Sequence, residues 1–257
     1  MRTEALKPIA LKNKVLGGDK PLICIPLTSV GETDLMSEID EVISLSPDMI
    51  EWRADYFQEY MDRSKAYNIL RHLRAKAGET PAIFTCRSHS EGGFRRIEDE
   101  IRAELYKNAI LSGCIDVIDV ELSFGKDNIE SIKALAVKTG VKLILSYHNF
   151  AETPSEEFII DKIKEEIDSG GDIGKIAVMA KEQGDVLQLF NATHKARKEI
   201  SSPVIAISMG PAGTLARLAG WMFGSDMTFA SGVNASAPGQ MPIGEMRKFI
   251  DALMKRL

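Results

Sequence analysis

The segment Asp172-Ile173-Gly174-Lys175-Ile176-Ala177-Val178-Met179-Ala180 has the pattern of a strand buried on both faces of a parallel sheet. Gly170-Gly171 precedes it and the polar run Lys181-Glu182-Gln183-Gly184 follows it, so turn or surface residues bound the apolar run on both sides. Lys175 is the one ionisable side chain between Ile173 and Ala180. The sequence therefore predicts an amine inside the fold.

A lysine in such a strand has two interpretations. Burial penalises the ammonium form and favours the neutral amine, a nucleophile that forms a Schiff base with a ketone or an aldehyde. The alternative is a structural lysine, whose chain reaches solvent at the strand end or whose ammonium pairs with a carboxylate. The segment alone leaves both open.

Seven further strand patterns recur along the chain at intervals of about 25 to 33 residues, each separated from the next by a helical pattern. The predicted strands are 22–27, 49–55, 82–87, 115–122, 141–147, 173–180, 204–209 and 228–231. The predicted helices are 32–45, 64–76, 96–111, 129–138, 155–169, 186–200, 214–223 and 243–255. Regular alternation implies right-handed crossovers and a parallel sheet, and eight units close a barrel.

The predicted fold class is therefore α/β: a (β/α)8 TIM barrel that forms a single domain over residues 1–257, preceded by a short N-terminal hairpin in 7–18. Gly17-Gly18 is the expected hairpin turn. The length suits one barrel of roughly 250 residues. The alternative is an open doubly wound sheet, but Ile25-Pro26-Leu27-Thr28 stands where a GxGxxG fingerprint would follow the first strand.

Composition narrows the class of partner. The 32 basic and 37 acidic residues give a net charge of −5, and the sequence has no long Lys/Arg block, so neither nucleic acid nor a membrane is an expected partner. A small anionic substrate remains possible on these grounds.

The cysteines Cys24, Cys86 and Cys114 show no CxxC spacing, which disfavours a zinc site and a disulfide framework. With no apolar segment near the N-terminus or of membrane-spanning length, the expected location is the cytoplasm.

Polar and sulfur-containing side chains gather near the carboxyl ends of the predicted strands or in the loops that follow, where barrel enzymes carry their active sites. These residues are Glu51, Arg53, Arg87, Glu91, Glu121, His148, Lys175, Met209, Arg217, Ser236 and Gln240. If the barrel closes, they meet at one end of it. That convergence favours the catalytic interpretation of Lys175.

Each of these residues also has an ordinary structural interpretation. Glu51 and Arg53 alternate along one strand, so both point to the same side, where they either form an ion pair or bind hydroxyl groups. His148 is either a hydrogen-bonded strand-end residue or the general acid/base that Schiff-base chemistry requires, with Glu91 orienting it or lying in a solvated turn. Arg217 either clamps an anion beyond the turn at 210–213 or is exposed.

The loop 231–244 is rich in Gly, Ser, Ala and Pro. It is either an ordinary surface loop or a lid that closes over a ligand.

From about Leu22 to the C-terminus, the chain resembles the type I 3-dehydroquinate dehydratases of the shikimate pathway. The resemblance rests on motifs in one order: Glu51-Trp52-Arg53, Thr85-Cys86-Arg87-Ser88 with Glu91-Gly92-Gly93, Tyr147-His148-Asn149-Phe150, Lys175-Ile176-Ala177 and Ala235-Ser236-Ala237-Pro238-Gly239-Gln240. It implies a class I aldolase-type barrel, a homodimer, and neither metal nor organic cofactor.

The resemblance also implies a role for each matching residue. Lys175 would form the imine with 3-dehydroquinate, His148 would be the general acid/base of a syn elimination of water, and Glu91 would partner His148. The matching substrate-binding positions are Glu51, Arg53, Arg87, Met209, Arg217, Phe229, Ser236 and Gln240, with Arg217 expected at the carboxylate and with Met209 and Phe229 over the ring.

Two positions depart from the family pattern. Pro26 stands where many members carry a serine that contacts substrate, so that contact is absent or is supplied by Thr28 or Ser29. His89 is an additional titratable group beside the third strand. Two other functions stay open: another Schiff-base-forming aldolase-type lyase that acts on a phosphorylated sugar, and a non-catalytic barrel that binds small anions.

Overall fold

A computed structural model of the protein describes residues 3–232 and 239–256. Its centre is an eight-stranded parallel sheet in the order β10-β3-β4-β5-β6-β7-β8-β9. These strands are β3 (Leu22–Leu27), β4 (Met49–Arg53), β5 (Ala82–Thr85), β6 (Val117–Glu121), β7 (Lys142–Asn149), β8 (Ile173–Met179), β9 (Val204–Met209) and β10 (Met227–Phe229). The amide of Asp226, just before β10, donates to Val204 O on β9 at 2.7 Å, which brings the two ends of the sheet together. The predicted (β/α)8 barrel is confirmed.

Within residues 3–232 and 239–256, eight α-helices surround the sheet, one after each barrel strand. They are α1 (Glu32–Ser44), α2 (Arg63–Ala77), α3 (Asp99–Leu111), α4 (Lys126–Thr139), α5 (Glu156–Asp168), α6 (Gln183–Glu199), α7 (Thr214–Ala219) and α8 (Ile243–Met254). Local caps fix some of their starts: the Asp62 carboxylate accepts from the amides of Ser64 and Lys65 at the start of α2. The predicted helix 214–223 is instead the short α7 followed by a 3₁₀ turn, Gly220–Phe223.

Alternation along the strands separates two apolar regions. Cys24, Ile83, Val117, Ile144 and Ile205 belong to the cluster inside the barrel. The residues next to them along each strand point outward and pack under the helices. The inside of the barrel is therefore a packed core, and polar side chains enter it only toward one end.

The N-terminal hairpin closes the opposite end. Strands β1 (Ile9–Leu11) and β2 (Lys14–Leu16) pair antiparallel, and Leu11 and Leu16 join the cluster inside the barrel. The predicted turn was wrong: the chain reverses at Lys12-Asn13, where Lys12 has a φ of 50°, and Gly17-Gly18 follows the second strand. Gly17-Gly18 was not a reliable turn signal, because a polar residue such as Lys12 can also adopt a positive φ at a tight turn.

Three predicted strands, 49–55, 82–87 and 228–231, run two residues too far at the carboxyl end. β4 ends at Arg53 and β5 at Thr85, because the next residues leave the ladder to bind side chains at the rim. The amide of Arg87, for example, donates to Asp55 Oδ1 at 3.2 Å. Among the helices of the described residues, none has the length and apolar character needed to cross a membrane.

Candidate active site

Strand register brings Lys175 and His148 to the same side of the sheet. Ser146 pairs with Lys175 and His148 pairs with Ala177 in the parallel ladder between β7 and β8. Because alternate residues of a strand share a face, Lys175 on β8 and His148 on β7 both point into the barrel, as diagonal neighbours. The same parity directs Glu51 and Arg53 of β4 inward and Trp52 outward.

The resemblance assigns eleven residues to the site, and ten of them line one cavity at this end of the barrel, whereas Glu121 does not belong to its lining. The ten are Glu51, Arg53, Arg87, Glu91, His148, Lys175, Met209, Arg217, Phe229 and Gln240. Ser236, the eleventh, lies outside the described residues, as do residues 233–238 of the loop 231–244 that was predicted as a surface loop or a lid. The structure thus brings together side chains from six of the eight barrel strands or the segments that follow them.

Lys175 is buried at the floor of this cavity, with 4% of its surface exposed. Its Nζ donates to Asp119 Oδ2 at 2.6 Å and lies 3.9 Å from Glu51 Oε1. The Phe229 ring lies beneath the amine, with its centroid 4.7 Å from Nζ. The amine does not reach solvent at the strand end. It is paired with a carboxylate and also faces an open cavity, so features of both sequence interpretations hold at once.

Asp119, on β6, is the carboxylate that joins two cations. Burial would raise the pKa of Asp119, but Arg87 and Lys175 outweigh burial and hold it well below its usual range. Arg87 Nη2 donates to Asp119 Oδ2 at 3.0 Å, and the Ser146 hydroxyl donates to Oδ1 at 2.7 Å. Asp119 is therefore a fixed negative charge beside the Lys175 amine.

A second buried carboxylate continues this network away from the cavity. Glu121 accepts from Arg87 Nη1 at 2.6 Å and pairs on its other oxygen with Arg102 of α3. Arg102 Nε also donates to Cys86 O at 3.0 Å. Every carboxylate in this chain of contacts faces a guanidinium or an ammonium, which is the condition for burying charge.

Glu91 holds His148, which is the contact that the family resemblance implied. Glu91 Oε2 accepts from the His148 amide at 2.9 Å and lies 3.1 Å from His148 Nδ1, while Oε1 accepts from the Ser123 hydroxyl at 2.6 Å. Burial raises the pKa of Glu91, and the hydrogen bonds from Ser123 and the His148 amide oppose that rise. With the Nδ1 proton directed at Glu91, the lone pair of Nε2 is left to face the cavity.

The His148 imidazole is neutral at neutral pH. Burial is the largest cause that lowers its pKa well below 6.5, and the nearby cations Arg87 and Lys175 lower it further. Asp119 acts in the opposite direction. A neutral imidazole that is fixed through Nδ1 is ready to accept a proton on Nε2, as a general base requires.

Glu51 and Arg53 share the inward face of β4 but do not pair with each other. Glu51 Oε1 accepts from the Thr85 hydroxyl at 2.7 Å, whereas Arg53 makes a two-pronged bond to Asp55, with both N···O distances at 2.8 Å. The Glu51–Arg53 ion pair that the sequence suggested is therefore wrong, because Arg53 pairs with Asp55. Asp55 orients the Arg53 guanidinium, and Glu51 keeps an oxygen near Lys175.

Arg217 reaches the cavity from α7. Its side chain is buried, and burial lowers its pKa to about 10, which still leaves it charged at neutral pH. Its Nη1 lies 3.4 Å from Phe229 O, and its own carbonyl accepts from the Thr228 hydroxyl at 2.9 Å. These contacts fix a guanidinium at the cavity wall and contradict the exposed alternative.

The model of the type I 3-dehydroquinase family matches residues 23–256. The chain belongs to the type I 3-dehydroquinase family. It is 39% identical over 252 residues to the 3-dehydroquinate dehydratase of Geobacillus sp. (strain WCH70), covering 98% of this chain and 97% of that protein.

Solved structures of family members superpose over almost the whole chain. The crystal structure of 3-dehydroquinate dehydratase from Geobacillus kaustophilus HTA426 matches with a TM-score of 0.96 and 38% identity, covering 99% of both chains. The type I 3-dehydroquinate dehydratase from Clostridium difficile, solved with covalently modified comenic acid, matches with a TM-score of 0.94 and 34% identity, covering 98% of this chain and 99% of that one.

The two departures from the type I 3-dehydroquinase pattern lie outside the cavity lining. Pro26 adjoins Glu51 in the strand register but brings no hydroxyl, and the amides of Thr28 and Ser29 donate to Glu38 at 2.9 and 2.8 Å. Neither Thr28 nor Ser29 is among the residues that line the cavity. His89 Nδ1 lies 3.0 Å from Gly93 O, so this histidine bonds the loop backbone.

Sequence reasoning missed Asp119 and Ser123. A signal for Asp119 was present, because it is the inward neighbour of Glu121 in the alternation of Val117-Ile118-Asp119-Val120-Glu121. No local pattern points to Ser123, which lies in a 3₁₀ turn and reaches Glu91 across 32 residues of sequence. Among the described residues, no cluster of three or more His, Cys, Asp or Glu side chains has the arrangement of a metal site.

Proposed function

We propose that Lys175 and His148 of this chain carry out the reaction of the type I 3-dehydroquinases, the dehydration of 3-dehydroquinate to 3-dehydroshikimate in the shikimate pathway. The observation that carries this assignment is the pairing of two buried groups: an amine fixed by Asp119 and a neutral imidazole fixed by Glu91, on adjacent strands of one cavity. Schiff-base chemistry needs an amine nucleophile and a proton carrier within reach of the same substrate.

The first step is imine formation. Lys175 Nζ, after losing a proton, attacks the C3 ketone of 3-dehydroquinate, and the carbonyl oxygen leaves as water to give a protonated imine. The positive charge then lies on the nitrogen that faced Asp119 and Glu51 in the free protein. These carboxylates stabilise the iminium without moving, because their positions are already set by Arg87 and Thr85.

The second step is elimination of water. His148 Nε2 removes the C2 proton, and the electron pair of that bond moves toward the iminium to form an enamine. The enamine electron pair then returns and expels the C1 hydroxyl group, which takes the proton from His148 and departs as water. One group serves as base and then acid, so the proton and the hydroxyl leave from the same face of the ring.

The last step restores the enzyme. Water adds to the imine carbon of the conjugated product, and the carbon–nitrogen bond breaks to release 3-dehydroshikimate and the Lys175 amine. His148 is the group that moves the protons of this hydrolysis. Glu91 keeps the imidazole in one tautomer throughout, because its Oε2 lies 3.1 Å from Nδ1.

Substrate binding divides between charged and apolar walls. The Arg217 guanidinium, charged within the pH range below its pKa of about 10, takes the substrate carboxylate. Met209 and Phe229 pack against the ring. The remaining candidates take the hydroxyl groups: Glu51, Arg53, Arg87, Ser236 and Gln240.

Two other functions predict different behaviour. An aldolase-type lyase for a phosphorylated sugar would cleave a carbon–carbon bond, and a non-catalytic anion-binding barrel would form no imine. The proposed setting is the cytoplasm, and the proposed assembly is a homodimer, which sedimentation at several protein concentrations tests directly.

The test is the absorbance of the conjugated enone product after 3-dehydroquinate is added. We expect the wild-type protein to produce it, and we expect Lys175→Ala to produce none while folding normally, with Lys181→Ala, an exposed residue beyond β8, as the matched control. Product formation by folded Lys175→Ala would remove the assignment. Failure of the wild-type protein with 3-dehydroquinate, but carbon–carbon cleavage of a sugar phosphate, would favour the aldolase alternative.

A further inference from the structure

The face of α5 that packs on the barrel carries a carboxyl group at a position of the apolar stripe. Ile159, Ile163 and Glu166 are the buried residues of this helix, and all three are 0% exposed. Their spacing along the chain places them on one helical face. Ile159 and Ile163 belong to the apolar cluster that α5 and α6 form with β8 and β9. Glu166 therefore enters the same apolar layer.

Gly174 of β8 leaves the space into which the Glu166 side chain fits. Gly174 shares the outward face of the strand with Ile176 and Val178, whose side chains join the same cluster. A Cβ atom at Gly174 would lie 3.1 Å from Glu166 Oε2 and 2.9 Å from Ile163 Cγ2. An alanine there would have to push the helix side chains away. The missing side chain on the strand thus matches the polar side chain on the helix.

The Glu166 carboxyl group is buried without the partners that an anion needs. Neither of its oxygens has a hydrogen-bond partner among the described residues. Burial raises the pKa of Glu166 well above 4.5, and the nearby backbone amide of Lys175 opposes that rise without meeting hydrogen-bond geometry. Asp119 and Glu91 raise the pKa further, whereas Lys162 lowers it. The carboxyl group therefore keeps its proton at a pH where an exposed glutamate is ionised.

The charged side chains of the elements packed against α5 are directed elsewhere. His148 of β7 and Lys175 of β8 point to the opposite, inner side of the sheet. Other charged groups on β7, α5 and α6 form ion pairs of their own: Lys142 with Asp172, Lys164 with Glu199, Lys195 with Glu156, and Arg197 with Asp226.

We propose that Glu166 is a positioning residue for Lys175, which acts as an uncharged carboxylic acid and holds the β8 backbone against α5 directly behind the amine. Gly174 and Lys175 are consecutive, so a displacement of the strand at Gly174 also moves the amine that lies 2.6 Å from Asp119 Oδ2. An ionised Glu166 would lie unpaired in an apolar layer, and the cost of burying that charge would force α5 and β8 apart. The effect on turnover rests on the proposed function, whereas the protonation state of Glu166 does not.

Glu166→Gln tests the protonation state, because glutamine has nearly the same shape and does not ionise. A carboxyl group whose pKa folding raises contributes stability that is fully present below 4.5 and is lost as pH rises toward the folded pKa. We expect the urea midpoint of the wild-type protein to fall from about pH 6 to about pH 9, and that of Glu166→Gln to fall less. Glu165→Gln, an exposed neighbour paired with Lys162, should follow the wild-type protein. A Glu166→Gln profile parallel to the wild-type profile would overturn the proposal.

The reactivity of Lys175 tests the positioning without 3-dehydroquinate. Formaldehyde with cyanoborohydride methylates amines, and peptide mass spectrometry gives the rate at Lys175 relative to Lys181, an exposed lysine beyond β8. We expect Glu166→Ala to raise the relative rate at Lys175 by roughly threefold to tenfold, the scale of one weakened hydrogen bond to Asp119. Glu166→Gln should retain the wild-type rate. Gly174→Ala, which pushes the strand from the helix, should act like Glu166→Ala and serves if that variant does not fold.

Turnover of 3-dehydroquinate should follow the same order. We expect kcat to fall roughly tenfold in Glu166→Ala and to stay near the wild-type value in Glu166→Gln. Wild-type labelling of Lys175 in both Glu166→Ala and Gly174→Ala would overturn the positioning role. Absence of turnover by the wild-type protein would instead count against the proposed function, and the denaturation and labelling results would still decide the role of Glu166.

Discussion

Lys175 Nζ and Asp119 Oδ2 lie 2.6 Å apart in the interior of the barrel, where neither residue is more than 4% exposed. The lysine that interrupts an apolar strand is therefore neither isolated nor solvated. The Asp119 carboxylate accepts a hydrogen bond from the amine before substrate arrives and remains in place for the cationic imine afterwards. The same carboxylate accepts from Arg87 at 3.0 Å, so one side chain orients both cations.

Replacement of this carboxylate tests the relationship. We expect Asp119→Asn to reduce the free energy of unfolding by about 3 to 5 kcal/mol, because Arg87 and Lys175 lose their shared anion. Turnover should fall by up to roughly a hundredfold as the amine loses its orientation. Asp116→Asn is the control: Asp116 pairs with Arg74 away from the cavity and should affect stability without a comparable loss of turnover. Urea denaturation and steady-state rates measure both; unchanged values for Asp119→Asn contradict the expectation.

The Ser123 hydroxyl should act on catalysis through Glu91. Its hydrogen bond to Oε1 favours the Glu91 carboxylate, so Ser123→Ala should raise the Glu91 pKa further. We expect a loss of about 1 kcal/mol, or roughly fivefold in turnover, with the acid limb of the rate profile displaced to higher pH. Ser90→Ala, whose hydroxyl contacts only Ser88 at an exposed position, is the control. A Ser123→Ala profile that superimposes on the wild-type profile counts against this role.

His148→Ala separates imine formation from elimination. The variant keeps Lys175 and Asp119, so we expect it to form the substrate imine while turnover drops by roughly 10² to 10⁴-fold, as is typical for loss of a general acid/base. Mass spectrometry after reduction should show the adduct still carrying the mass of the substrate. His194→Ala, on the exposed face of α6, should behave as the wild-type protein. Near-normal turnover in His148→Ala would mean that another group moves the proton.

The pH dependence follows from the buried imidazole. Burial, aided by Arg87 and Lys175, holds the His148 pKa well below 6.5, so the base stays unprotonated as pH falls through 6.5. We expect the acid limb of kcat/KM that reports His148 to lie below pH 6.5. An NMR titration of the His148 Cε1 proton, assigned with His148→Ala, provides the direct measurement. A His148 midpoint at or above 6.5 contradicts the expected neutral form.

The fold was largely readable from the chain. Strand β3 and strand β9 were predicted with the limits that the structure shows, because apolar runs between polar segments define a buried parallel strand. The position of the N-terminal turn could not be predicted, since Gly17-Gly18 is as good a turn signal as Lys12-Asn13. Only the pairing of the two strands shows that the chain reverses at Lys12-Asn13. Strand ends were also overrun where Asp55 and Arg87 bind each other at the rim.

The sequence predicted which residues form the candidate site, but it did not predict which of their side chains pair with each other. Parity along β4 correctly placed Glu51 and Arg53 together inside the barrel, yet Arg53 pairs with Asp55 and not with Glu51. Which carboxylate pairs with Arg53 depends on the direction of the backbone beyond the end of β4. The alternation of residues along the strand does not predict that direction. The contact of Lys175 with Asp119 skips over β7 and depends on the curvature of the barrel, so a single strand could not reveal it.

Reductive trapping of the imine tests the central claim most directly. The wild-type protein is treated with borohydride in the presence of 3-dehydroquinate, digested, and analysed by peptide mass spectrometry, with Lys175→Ala treated in parallel. We expect one substrate-derived adduct, located on Lys175 and absent from Lys175→Ala. Turnover by the wild-type protein with no adduct, or with an adduct on a different lysine, would contradict the assignment of Lys175 as the nucleophile.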